Sequence, residues 1–162
     1  MMDDFIQLQK KNIKRFGIKN EKGEPTGEFL EFDLNDIELP LRYQELAEKN
    51  KKNHEWIRNQ ILIIEKRQDV KGKKAMSKNQ EDKVKALNEF FKKEVEVFNM
   101  FLGENGVQKI LCGRKLGFDT LDEIDEMISK IIMPKLQINM NDITKQVKDR
   151  YSKFLDKKEV LK

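Results

Sequence analysis

The chain reads as mainly α with a small β-hairpin, an α+β fold of three to five amphipathic helices packed as an irregular bundle. Three observations predict it. Apolar residues recur at three- and four-residue spacing through most of the sequence. Strict alternation occurs once, where Leu30, Phe32 and Leu34 are separated by Glu31 and Asp33. The hydrophobic and charged fractions are both 38%, a balance that suits slender helices with charged outer faces. A length of 162 residues is the usual size of one domain, so 1–162 is taken as a single unit.

The hairpin is expected over 12–34. Ile13, Phe16 and Ile18 precede a turn-rich stretch from Asn20 to Gly27, and the alternating Phe29–Leu34 segment follows. An isolated two-stranded hairpin is marginal in water, so it must lie on helices, extend a sheet or pair with another chain. A long helix is expected over 36–68, capped by Asn35 or Asp36, with Pro40 near its start. Tyr43, Leu46, Ala47, Ile57, Ile61 and Ile64 form its stripe, Trp56 lies on a flank, and Glu45, Glu48, Lys49, Lys51 and Lys52 are solvated. A basic loop or flexible linker over 70–79 interrupts the periodicity.

The helical core is expected over 80–133. Val84, Leu87, Phe91, Val95, Phe98 and Leu102 trace one face, with Phe90, Val97 and Phe101 beside it. Gly103 is placed as a left-handed C-cap, Gly106 is also read as a cap, and Gly113 ends a short helix after Glu104. Thr120–Glu123 reads as a capping box before a helix whose core face is Leu121, Ile124, Met127, Ile128, Ile131 and Ile132. Pro134 is expected to kink or end it. In the helical extension over 134–162, a start signal at Asn139–Asp142 leads into Ile143, Val147, Tyr151 and Phe154, and the lysine-rich end from Lys153 is expected to fray.

A formal charge of +4 and a pI near 9.0 point weakly to nucleic acid or an anionic surface. Lysine greatly outnumbers arginine, whereas arginine is the residue that forms bidentate contacts with bases and phosphates. Lys71, Lys73 and Lys74 are the contacts of a nucleic-acid alternative. Cys112 is the single cysteine, which leaves no partner for an internal disulfide and no cysteine-based zinc set, and fits a cytoplasmic setting. Asp3, Asp4 and the lack of an apolar stretch at the start lead to the expectation of no signal peptide, and no 18-residue apolar run suggests a membrane span.

No set of catalytic groups assembles from the sequence, so no enzyme, cofactor or metal is expected. His54, the only histidine, is read as partly buried packing, and Cys112 as a small buried side chain. The acidic run from Asp119 to Glu126 suits a first helical turn better than a calcium loop. The densest apolar segment is Phe90–Gly113. Phe91, Phe98, Phe101 and Leu102 within it are the residues expected to frame a partner surface, with Phe91 or Phe98 as pure core the alternative.

The order of Phe32-Asp33-Leu34, an acidic cap, Tyr43 in a charged helix, Phe90–Leu102, Gly103-x-x-Gly106 and Ile110-Leu111-x-Gly113 before an acidic helix resembles small proteins of tailed phages that infect low-GC Gram-positive bacteria. These look like the tail-assembly-chaperone group. The resemblance spans about 28–133 and is a pattern of apolar and glycine positions. It implies a non-enzymatic helical protein of the host cytoplasm that masks the tape-measure protein while tube subunits polymerise, with self-association as a further option. The hairpin, the basic loop and the segment beyond Pro134 depart from the pattern. They leave open a structural virion protein at a tail or head-tail joint, with the hairpin adding a strand to a neighbour.

Overall fold

The computed structural model describes residues 2–9, 12–136 and 140–160. Strands β1 (Ile13–Lys19) and β2 (Pro25–Asp33) form an antiparallel pair with Phe16 opposite Leu30 and a bulge between Gly17 and Lys19. The Asn20 side chain closes the turn by accepting from the backbone N–H of Lys22 and Glu24, each at 3.0 Å. Alternation buries Leu30 and Phe32 as expected, while Leu34 lies past the strand and is exposed. The hairpin rests on the helices through Phe32, whose ring centroid is 5.5 Å from that of Phe101 and 5.8 Å from that of Phe16.

Helices α1 (Leu39–Lys66) and α2 (Lys78–Leu102) run antiparallel as a long hairpin. Contacts near the open end pair Tyr43 with Phe101 and Lys49 with Met100; near the loop, Glu65 pairs with Lys83 and Arg67 with Asp82. The start of α1 differs from the cap expected at Asn35 or Asp36. Helix α1 begins at Leu39 with Glu38 as an N-cap that makes no side-chain bond, and Asp36 instead accepts from the Glu38 N–H and pairs with Arg42. The loop between the helices is tied at both ends rather than a free linker. Asn79 donates to the carbonyls of Ile64 (3.1 Å) and Arg67 (3.3 Å), satisfying the end of α1. Ser77 and Gln80 form a reciprocal capping box at the start of α2.

Short α3 (Gly106–Leu111) tucks under the hairpin, its Val107 N–H held by the Asn99 carboxamide oxygen at 2.8 Å. Gly103 has a positive φ with extended ψ, so it stops α2 without a left-handed turn, and Cys112 takes the left-handed C-cap position with Gly113 following at φ +84°. Gly106 is not a cap: a Cβ there would lie 2.5 Å from Cβ of Leu102. Helix α4 (Phe118–Met127) begins earlier than the Thr120–Glu123 box implies. Gly117 is its N-cap, and its N–H donates to the Thr120 hydroxyl at 2.8 Å.

From α4 the chain passes through one π-helical turn (Ile128–Ile132) into α5 (Met133–Lys135), where Pro134 precedes the end at Leu136. Leu121, Ile124, Ile128, Ile132 and Leu136 line the buried side of this segment, with Ile131 turned outward. Helix α6 (Met140–Val160) follows. Its expected start residue Asn139 lies outside the described residues, and the helix extends past Lys153 to Val160.

Candidate interaction surface

The buried line of α2 is Ala86, Phe90, Glu94, Val97 and Phe101, flanked by Phe98 and Leu102. This is rotated from the predicted stripe, and Val84 at its expected end is exposed. A glutamate in the middle of the true face hid it from a reading based on apolar spacing. Phe98 is fully buried, and Phe101 and Leu102 are nearly so. The partner surface expected at these three residues is therefore corrected: they are the protein's own core, covered by α1, α3 and the hairpin. Phe91 is half-buried, its ring tilted against Phe90 (5.4 Å) and edge-on to Phe118 (5.1 Å).

The same rotation creates a polar layer in the α1–α2 seam. Leu39, Tyr43, Leu46, Asn50, Asn53 and Ile57 follow the alternating four- and three-residue steps of a helix-pair seam, with Ile64 a heptad beyond Ile57, so two asparagines occupy core positions. They face the fully buried Glu94. With its nitrogen toward the acid, the Asn50 amide donates to both Glu94 oxygens (3.1 and 3.2 Å) and to Nε2 of His54 (2.9 Å). Asn53 Nδ2 is buried without a well-formed hydrogen bond, yet its dipole partly offsets the effect of desolvation on the acid. Burial, with a smaller push from Asp125, raises the Glu94 carboxyl from 4.5 to about 7. His54 packs its edge on Phe90 at 5.1 Å and is more exposed than expected.

Cys112 is exposed rather than buried, with Sγ 3.2 Å from the carbonyl of Lys109. Lys71, Lys73 and Lys74 project into solvent from the interhelical loop. Among the described residues no three His, Cys, Asp or Glu side chains gather as a metal site, and no helix is long and apolar enough to cross a membrane.

Three apolar features remain at the surface. Helix α6 carries Val147, Tyr151, Phe154 and Leu155 at 41–63% exposure along one stripe. The segment before β1 presents Phe5, Ile6 and Leu8. A groove of about 340 Å³ runs between β1 and the α4–π segment, floored by Leu30, Ile124 and Ile132. No family model, curated protein or solved structure matches this chain. Single exposed apolar residues are ordinary, but a helical stripe of aromatic and branched side chains marks a contact face. Its spacing is readable in the sequence; the exposure of Val147 and Tyr151 is not.

Proposed function

We propose that the protein is a non-enzymatic assembly chaperone or adaptor of a tailed phage, which covers apolar helical surface of a tail protein, the tape measure or the tube subunit, in the host cytoplasm. The phage assignment rests on the resemblance over 28–133, and the observation that supports contact with an apolar helix is the exposed stripe of α6, a 21-residue helix beyond that stretch. Val147, Tyr151 and Phe154 recur at four- and three-residue spacing, the arrangement by which one amphipathic helix lays its apolar side against another. Charged residues fill the remainder of the helix, including Lys145, Lys148, Asp149, Arg150 and Lys153. A complex formed on the stripe would therefore present charge to solvent, which is what keeps an apolar client dispersed. The partner surface assigned from the sequence to Phe91, Phe98, Phe101 and Leu102 moves to α6.

The test is co-expression with the tape-measure protein of the same phage, followed by separation of soluble and pelleted fractions and mass spectrometry of purified particles. The wild-type chain keeps the client soluble and is absent from particles. A Val147→Asp/Tyr151→Asp variant folds normally but leaves the client in the pellet. Equal client solubility with both chains overturns the role of α6. Recovery of the protein in finished particles replaces the chaperone by the virion protein. Retention on DNA that falls steeply with salt and requires Lys71, Lys73 and Lys74 replaces it by the nucleic-acid binder.

A further inference from the structure

We infer that the N-terminal segment Met2–Gln9 of one copy docks in the β1–α4 groove of a second copy, adding a strand to the open edge of β1. Four consecutive residues of β1, Phe16 to Lys19, line the groove. Neighbouring side chains on a strand point to opposite faces, so a groove touched by all four opens onto the strand's edge as well as its face. Among the described residues β1 pairs with β2 alone, which leaves the backbone groups of its outer edge without a strand partner there. An extended peptide on such an edge gains main-chain hydrogen bonds, and alternate side chains enter the adjoining pocket.

The segment before β1 has the matching chemistry. It takes no helix or strand of its own, and Met2, Phe5, Ile6 and Leu8 are 90–98% exposed. Ile6 and Leu8 share one side of an extended chain and fit the apolar floor, with the partly exposed Met127 and exposed Ile131 along the wall. Eight residues at ~3.3 Å each match the seven of β1 in reach. Charge also matches. Asp3 and Asp4 are the acidic end of the segment, while Lys19 lines the groove beside Arg114, which is itself paired with Glu21, and Lys14 and Lys135 flank Phe16, against one acid of the lining, Glu123.

The occupant is assigned to another copy because within one copy the segment stays off its own groove, with Met2, Phe5, Ile6 and Leu8 exposed. Asn12 pairs its carbonyl with the Leu34 N–H at 2.9 Å and its amide with Asn35 at 3.1 Å, and a φ of +60° turns the chain there. Exchange of identical segments between copies is an economical route to a dimer. This inference does not depend on which client α6 binds.

Sedimentation velocity of the full chain from micromolar to submillimolar concentration, with thermal unfolding as a folding control, tests it. The wild type forms a dimer. Phe5→Asp/Ile6→Asp/Leu8→Asp, and separately the exposed groove variant Ile131→Asp, each weaken it by about tenfold or more at unchanged thermal midpoint. In a second measurement, an Asp4→Cys/Cys112→Ser copy is mixed with wild-type chain, whose Cys112 lies two residues from Arg114 of the groove lining, and treated with a short thiol cross-linker. A covalent heterodimer supports exchange. A wild type that stays monomeric throughout, a dimer indifferent to both variants, or a link formed only within single Asp4→Cys chains that retain Cys112 overturns it.

Discussion

Nε2 of His54 stands 3.9 Å from a carboxylate oxygen of Glu94, which is fully buried at the α1–α2 seam and titrates near 7 rather than at 4.5. This displacement has a sign. At acid pH the carboxyl is protonated in folded and unfolded chains alike. As pH rises from 4.5 toward about 7 the unfolded chain releases the proton first, so this group's contribution to stability falls and then levels off. The loss amounts to about 3 kcal/mol. Glu94→Gln should remove that decline. Denaturant unfolding of both proteins across the interval would show the difference between them growing with pH, and a constant difference would refute it.

Replacing the polar layer as a whole should behave differently from breaking it. Asn50→Leu/Asn53→Leu/Glu94→Leu exchanges a buried ionisable group and an amide without a good partner for apolar side chains, and should stabilise the fold by about 1–4 kcal/mol. Polar residues at seam positions fix register between helices. The variant should accordingly show a higher thermal midpoint but more than one set of amide resonances along α1 and α2. A single sharp set would mean that register is fixed elsewhere.

Core and contact surface separate cleanly by mutation. Phe98→Ala empties a fully buried site and should cost about 3–5 kcal/mol. Val147→Asp changes a side chain exposed on α6 and should shift stability by no more than ~0.5 kcal/mol. Chemical denaturation distinguishes the two, and a large loss from Val147→Asp would place α6 in the core.

Gly106→Ala should be costly although its backbone is ordinary. The new methyl would meet Cβ of Leu102 at 2.5 Å, with Leu30 at 3.6 Å behind it, and α2 and α3 must part to admit it. Overpacking of this kind costs about 1–3 kcal/mol. Thermal melts that coincide with wild type would show that α3 moves freely.

Much of the fold was legible because its signals are local. Alternation at Leu30 and Phe32 marked β2, three- and four-residue spacing marked the long helices, and Gly103 marked the end of α2. Ser77 and Gln80 carried a capping signal within a stretch read only as loop. The seam asparagines carried a heptad signal too, obscured by the assumption that core positions are apolar.

The sequence by itself determined where helices and strands form and which stretches are rich in apolar side chains, since these follow from periods and caps within a few residues of chain. Only the tertiary structure decided which apolar faces cover one another. It buried Phe98 and Leu102 in the core, turned Phe101 against Tyr43 and Phe32, set Asn50 and Asn53 against Glu94, and left Val147 and Tyr151 of α6 exposed. The physical reason is that an amphipathic period records a face suited to burial and carries no record of its cover, which is set by contacts between residues far apart in the chain.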